Sequence, residues 1–246
     1  MRLPLTVPKN FRIIAHRGAS GYAPENTLAA FRLSEEMGIT EIELDVWLSK
    51  DNHIVINHDG RLDRYGYPGL HVTELELEAL LKLDMGSWFS PHLFAGEQML
   101  TLEALFAQFR ERFIYHVEIK EPLPGLVGKL LATIDAHGLE NRIFITSKHI
   151  DALIEAQTSA PQIRTGWLVA RGGFLMAAID RAAEAGLYQI CPPAGDTDKA
   201  MVEAAHTKLP EVRAWAVRGI EPALQAIESG CDGFTINWPD WFVHQV

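Results

Sequence analysis

Apolar and polar positions along this chain repeat one unit, a short run rich in β-branched and aromatic residues followed by a longer stretch with helical spacing. The β-like runs are Arg12 to Ala15, Glu41 to Trp47, Phe113 to Ile119, Ile143 to Thr146, Ile163 to Val169, Leu187 to Cys191, Val212 to Val217 and Gly233 to Ile236. Helical patterns lie between them, for example Thr27 to Met37, Leu126 to Ala136 and Asp198 to Thr207. Several stop at a glycine, as at Met37-Gly38, His137-Gly138, Ala185-Gly186 and Ser229-Gly230, where a helix end calls for a left-handed residue. Regular β/α alternation predicts a parallel sheet. Eight units in 246 residues favour an α/β TIM-type (β/α)8 barrel over an open doubly wound sheet. The Rossmann-like alternative lacks its G-x-G-x-x-G after the first run, because Gly18-Ala19-Ser20-Gly21 has the wrong spacing. The tract from Asn57 to about Met99 is too long for a plain βα loop and reads as an insertion or small subdomain. No linker or low-complexity stretch divides residues 1–246, so one domain is expected.

The second run, Glu41-Ile42-Glu43-Leu44-Asp45-Val46-Trp47, carries the first chemical signal. A period of two puts Ile42, Leu44 and Val46 on one face and Glu41, Glu43, Asp45 and Trp47 on the other. The apolar face must meet helices, so the acidic face points into the barrel. Confined like charges raise one another's pKa or require a counter-ion. In the third run Val117 and Ile119 face the helices while His116, Glu118 and Lys120 face inward, which brings Glu118 to the same cavity. Glu43, Asp45 and Glu118 would make a hard, oxygen-rich site suited to Mg²⁺, Ca²⁺ or Mn²⁺ rather than Zn²⁺. The competing reading is an internal salt-bridge network with Lys120, and spacing alone leaves both open.

His16-Arg17-Gly18 follows the first run at its C-terminal end, the rim where barrel enzymes place their chemistry. His58-Asp59 follows a further β-like run, His53 to Asn57, at a comparable rim position. Of the ten histidines, His16 and His58 best combine a strand end with polar neighbours. His116 competes, but its deeper place on the strand suggests packing or support. Cleaving a phosphodiester needs charge compensation on the non-bridging oxygens, a base for the attacking oxygen and an acid for the leaving one. His16, His58, Arg17, Lys120 and a divalent ion would supply each part.

Composition narrows the partners. A formal charge of −10 argues against a nucleic-acid grip, so local cations or a bound ion must reverse the potential where an anionic substrate docks. No apolar run nears the roughly eighteen residues needed to span a bilayer, and the first ten residues hold no apolar signal core, so no membrane insertion or export is expected. Cys191 and Cys231 stand far apart without a Cys/His cluster, which argues against a disulfide framework or structural zinc and fits a reducing cytoplasm.

The ordered motifs His16-Arg17-Gly18, Ala23-Pro24-Glu25-Asn26-Thr27, Glu43-Leu44-Asp45-Val46 with Ser49-Lys50-Asp51, His58-Asp59 and Glu118-Ile119-Lys120 closely resemble the glycerophosphodiester phosphodiesterase family. The match continues through Asp84-Met85-Gly86-Ser87-Trp88-Phe89, Thr101-Leu102-Glu103, Thr146-Ser147, Trp215, Asp232-Gly233 and Pro239-Asp240, covering essentially the whole chain. The resemblance implies a (β/α)8 barrel with a small insertion after the second strand, where the long tract lies. It implies Mg²⁺ or Ca²⁺ on Glu43, Asp45 and Glu118, His16 and His58 as the acid/base pair, and substrate contacts from Arg17, Lys120 and Trp215. It implies hydrolysis of glycerophosphodiesters to sn-glycerol 3-phosphate and an alcohol. In that route the glycerol 2-hydroxyl attacks phosphorus first, and water then opens the cyclic phosphate. The lengths resemble the short cytosolic bacterial members.

Two stretches depart from the family's usual residues: Tyr65-Gly66-Tyr67-Pro68-Gly69 replaces a Thr pair, and Ala216-Val217-Arg218 replaces Thr-Val-Asn. Both lie where residues near the barrel mouth would contact the leaving alcohol. A lysophospholipase D, a phospholipase C-like cyclase and a non-catalytic phosphodiester-binding barrel are the alternatives. The lack of an obvious amphipathic surface helix speaks against lipid substrates, and retention of every histidine and carboxylate against a mere binder.

Overall fold

The computed structural model describes residues 3–244. Eight parallel strands form its centre: β1 (Arg12–His16), β2 (Glu41–Leu48), β3 (Ile114–Ile119), β4 (Ile143–Ser147), β5 (Arg164–Leu168), β6 (Gln189–Cys191), β7 (Glu211–Val217) and β8 (Gly233–Ile236). Each pairs with the next, and β8 returns to β1 with Phe234 opposite Ile13, so the sheet closes as a TIM-type barrel. Among the described residues seven helices of eight or more residues fill the connections, Leu28–Glu36, Leu102–Phe109, Leu126–His137, Ile150–Ser159, Met176–Glu184, Lys199–His206 and Ile220–Glu228, and one short helix, Leu77–Leu80, lies between β2 and β3. Thr27, Thr101 and Asp198 start three of them by accepting a backbone N–H hydrogen bond from the first turn. After β8 the chain makes a 3-10 turn, Pro239–Trp241, and then a strand, Phe242–His244, parallel to Leu5–Val7. Phe242 there packs edge-on against Phe234.

The period of two in β2 and β3 is realised as the sequence predicts. Ile42, Leu44, Val46, Val117 and Ile119 share one apolar core with helical Phe31, Phe106 and Phe109. The opposite face holds polar groups in the barrel interior. Its deep layer is an ion-pair network in which Arg12 binds Glu41 at 2.6 Å and also Glu211. His116 Nε2 donates to Glu41 at 3.0 Å, Gln189 donates to Glu211 at 3.0 Å, and Arg213 donates to Gln189 at 3.1 Å. Burial opposes ionisation of Glu41, but hydrogen bonds from His116 and Arg12 and the charge of Arg12 outweigh it and draw the carboxyl down to about 2. Burial drives the His116 imidazole down to about 3, with Arg213 acting in the same sense, so a neutral ring stacks on Phe144 and serves the interior rather than the rim.

The β-like run at His53 to Asn57 is not a barrel strand. Ile54–Ile56 folds back antiparallel on β2, with Ile56 opposite Val46, and then pairs with the short strand Leu100–Thr101. Residues 57–99 run between these two strands and carry an apolar cluster of Leu62, Tyr65, Val72, Leu80, Met85 and Met99, which packs with Trp47 of β2 and Val55 of the folded-back strand. Asp84 staples the tract by accepting from the backbone of Gly86, Ser87 and Gly96. A Cβ on Gly86 would sit 1.9 Å from the Phe94 carbonyl, so no other residue fits that turn. Among the described residues no helix is long and apolar enough to cross a membrane.

The deep network makes Arg12 the cation on which two buried carboxylates depend. Arg12→Met should lower stability by about 3–5 kcal/mol in urea unfolding, because both acids are left buried without a cation. Adding Glu41→Gln to that variant should recover part of the loss. A single-variant loss under about 1 kcal/mol, the scale of an exposed pair, would contradict the reading.

Candidate active site

The C-terminal ends of the strands and the turns that leave them build one polar cavity. Parallel register sets its floor: His16 on β1 lies beside Glu43 on β2, and Asp45 on β2 beside Glu118 on β3. Adjacent strands are separated by about 4.8 Å, so side chains at paired inward positions must meet. One carboxylate oxygen from each of Glu43, Asp45 and Glu118 lies within 4.8 Å of the others. Lys120 Nζ reaches Asp45 Oδ1 at 3.1 Å and Glu118 Oε1 at 2.9 Å. The network with Lys120 therefore exists together with the acidic cluster.

The turn after β1 carries the next groups. Arg17 adopts φ +57° and Gly18 φ +79°, and a Cβ on Gly18 would meet Ala30 of the following helix at 2.7 Å. This tight return aims the Arg17 backbone N–H at Glu43 Oε2, 3.1 Å away, and its side-chain Nε at Asp45 Oδ2, 3.3 Å away. Asn26, also left-handed at φ +59°, donates from Nδ2 to the same Asp45 oxygen at 2.9 Å. Glu25 accepts from Arg17 at 2.8 Å, pairs with Arg64 at 3.0 Å and accepts from the Tyr65 hydroxyl at 3.0 Å. The insertion is thereby tied to the first loop through one carboxylate.

The charges are unequal in their comfort. Burial opposes ionisation of Asp45, but Lys120 and Arg17 overwhelm it and hold this carboxyl far below its ordinary range. Burial of Glu43, reinforced by the charges of Asp45 and Glu118, lifts its carboxyl well above the usual range. Lys120 and Arg17 do not fully neutralise three acids, and a divalent cation would complete the compensation. The donor set fits a hard ion, since all ligands are carboxylate oxygens and burial keeps the nearby thiol of Cys191 protonated, up to about 11.

Both histidines line the cavity. Asn237 Oδ1, just past β8, lies 2.6 Å from His16 Nδ1 and accepts its proton, which leaves Nε2 with a lone pair 3.9 Å from Glu43. Burial, with Arg17 next, pushes His16 below the ordinary imidazole range, so the ring is neutral near pH 7. His58 Nδ1 donates to Asp59 Oδ1 at 2.7 Å, and this bond lowers the Asp59 carboxyl. The backbone N–H of Asn57 bonds the Asp45 carbonyl at 3.0 Å, which carries His58 to the rim although its strand lies outside the ring. His16, Arg17, Glu43, His58, Glu118, Lys120 and Trp215 all line the same inner pocket, and Asp45 lies beneath it, fully buried.

Sequence reasoning passed over five polar residues here. Glu25 and Asn26 sit within a motif that was noticed but given no role. Lys148 and Asn237 immediately follow β4 and β8, and the strand ends alone would have flagged them. Arg213, two residues before Trp215, is a buried guanidinium on the inward face of β7, and a charge at that alternate position of an apolar strand was the available signal.

Known proteins share this architecture. A glycerophosphodiester phosphodiesterase of Caldanaerobacter subterraneus is 33% identical over 238 residues, covering 95% of this chain and 97% of that protein. An Oleispira antarctica phosphodiesterase, solved in complex with the product sn-glycerol 3-phosphate, superposes with a TM-score of 0.82 at 27% identity, covering 95% of this chain and 94% of that one. A glycerophosphodiester phosphodiesterase structure from Agrobacterium tumefaciens gives a TM-score of 0.80 at 25% identity, covering 94% of this chain and 98% of its own. Residues 16–241, from the first histidine of the cavity to the turn after β8, match the glycerophosphoryl diester phosphodiesterase family, and the chain belongs to it.

Proposed function

We propose that this enzyme hydrolyses glycerophosphodiesters to sn-glycerol 3-phosphate and a free alcohol, with His16 and His58 moving protons over a divalent cation held by Glu43, Asp45 and Glu118. The observation that carries the reading is a neutral imidazole, a second imidazole oriented by a carboxylate, and a three-carboxylate cluster lining or underlying one cavity that also holds Arg17 and Lys120. The Oleispira relative, with sn-glycerol 3-phosphate bound as product, supports that product here.

The bound ion, Mg²⁺ or Ca²⁺ with Mn²⁺ as the third candidate, would supply charge neutralisation at the phosphoryl oxygens. The protein's own groups do the rest. Arg17 and Lys120, protonated against Asp45 and Glu118, add positive charge to the phosphate site of an otherwise acidic molecule. His16 Nε2 takes the proton of the glycerol 2-hydroxyl as its oxygen bonds phosphorus, while Asn237 fixes the tautomer that leaves this nitrogen free. The bond from phosphorus to the leaving oxygen breaks, and His58, held by Asp59, delivers the proton to that oxygen. Water then opens the five-membered cyclic phosphate with the two imidazoles in reversed roles. Trp215, which lines both the inner pocket and the mouth, would face the leaving alcohol.

Incubation with a panel of glycerophosphodiesters and Mg²⁺, Ca²⁺ or Mn²⁺ should release glycerol 3-phosphate, and phosphorus NMR should catch the cyclic phosphate as a transient. No release from any diester with any ion would reject the reading. Removing a general acid or base costs roughly 10²–10⁴-fold in turnover, so His16→Ala and His58→Ala should each lose that much kcat with an unchanged circular dichroism spectrum. Wild-type rates in both would remove the two histidines from the mechanism. Glu43→Gln should bind the cation more weakly, and its activity should partly return at high divalent concentration. Full activity in excess chelator would refute metal dependence.

A further inference from the structure

Above the catalytic floor the cavity opens into a mouth of about 530 Å³. Four side chains lining it are cationic, Arg17, Arg64, Lys148 and Arg218, whereas Glu25 is its one lining acid. That acid is already committed, since Arg17, Arg64 and Tyr65 all bind it at 2.8–3.0 Å. Arg17 also faces Asp45 at 3.3 Å, and Arg64 lies 3.6 Å from Asp59. Lys148 and Arg218 are different. Both are exposed, and among the described residues neither has a carboxylate within ion-pair distance. A surface with net charge −10 thus presents two uncompensated cations at the exit of its active site.

The aromatic groups at the mouth do not invert this preference. A quaternary ammonium would need an open indole face. Lys148 Nζ already stands 5.4 Å from the centre of the Trp215 ring, and Trp238 is stacked on Trp241 at 4.8 Å. A cationic headgroup would meet Lys148 before it met Trp215, and it would find no free carboxylate.

We propose that the mouth selects diesters whose leaving alcohol carries a second phosphate, with Lys148 and Arg218 as the specificity-determining residues. This inference rests on the phosphodiesterase reading and names the substrate class within it. An ammonium and a guanidinium at one rim suit phosphoryl oxygens, the first as a point charge and the second through its planar fork of donors. Arg218 lines the mouth alone and meets the departing group rather than the reacting phosphorus, whereas Lys148 lines both the mouth and the inner pocket. The contribution of Arg218 is therefore equal in ground and transition states and should appear in KM rather than kcat, and that of Lys148 should appear in kcat/KM.

The test compares initial rates on three diesters that release glycerol 3-phosphate: bis(glycerophospho)glycerol, whose leaving alcohol is anionic, glycerophosphoglycerol, whose alcohol is neutral, and glycerophosphocholine, whose alcohol is cationic. Two exposed charges acting together should make kcat/KM for the anionic diester about tenfold above that for the choline diester, with the neutral one between. Added salt at about 0.5 M should shrink that ratio, since these charges are solvent-exposed. Lys148→Gln and Arg218→Gln should each lower the ratio, Arg218→Gln through KM, and the double charge reversal K148E/R218E should invert it. Both positions are exposed, so the variants should fold, as circular dichroism will report. Equal kcat/KM for all three diesters, or a ratio that charge reversal leaves in place, would overturn the inference while leaving the phosphodiesterase reading intact. Turnover of none of the three by the wild-type enzyme would overturn both.

Discussion

Three acids held a few ångströms apart inside a closed barrel are the constraint around which the rest of the site is arranged. Glu43, Asp45 and Glu118 repel one another where water cannot screen them, and each cation nearby is placed to answer that repulsion. Lys120 binds two of them, Arg17 binds Asp45 through its side chain and Glu43 through its backbone, and Asn26 adds a hydrogen bond to Asp45. The strained, left-handed backbone at Arg17 and Asn26 is explained by the same demand, because only that turn aims their groups at the cluster.

The barrel interior is polar at two depths, and the depths differ in kind. Below, Arg12, Glu41, Glu211, His116 and Gln189 are joined in one network of ion pairs and hydrogen bonds. Every carboxylate there has a fixed cationic partner, so the layer is structural. Above, the acids outnumber the cations that touch them, and the surplus negative charge faces an open cavity. The difference between a packed ionic core and a reactive site lies in that imbalance, since His116 and His16 are both buried enough to be neutral.

Glu25 links chemistry to specificity. It joins the loop after β1 to the insertion through Arg64 and Tyr65, and so couples the position of Arg17 to the residues that shape the mouth. Tyr65 stands in one of the two stretches that depart from the family's usual residues, and Arg218 in the other. One departure thus buttresses the first loop, and the other adds an exposed positive charge to the lining of the mouth.

Much of this molecule is legible in one dimension because its elements obey short periods. The alternation of Ile42, Leu44 and Val46 with Glu43 and Asp45 assigns inward and outward faces without any knowledge of the fold, since a strand repeats every two residues. The eight β/α units likewise announce a barrel, and His16 marks a strand end by its place after Ile13-Ile14-Ala15. What the chain alone could not decide is which inward residues become neighbours, because register and closure are set by contacts between distant segments. The run His53 to Asn57 reads as a further β-like stretch with a comparable rim position, yet only pairing shows that Ile54–Ile56 folds back on β2 outside the ring and still delivers His58 to the rim. Asn237 meets His16 from 221 residues away, Glu25 meets Arg64 and Tyr65 across a loop, and among the described residues Lys148 and Arg218 are left without a carboxylate partner. These are facts of spatial charge balance, and such a balance exists only once the chain has closed on itself.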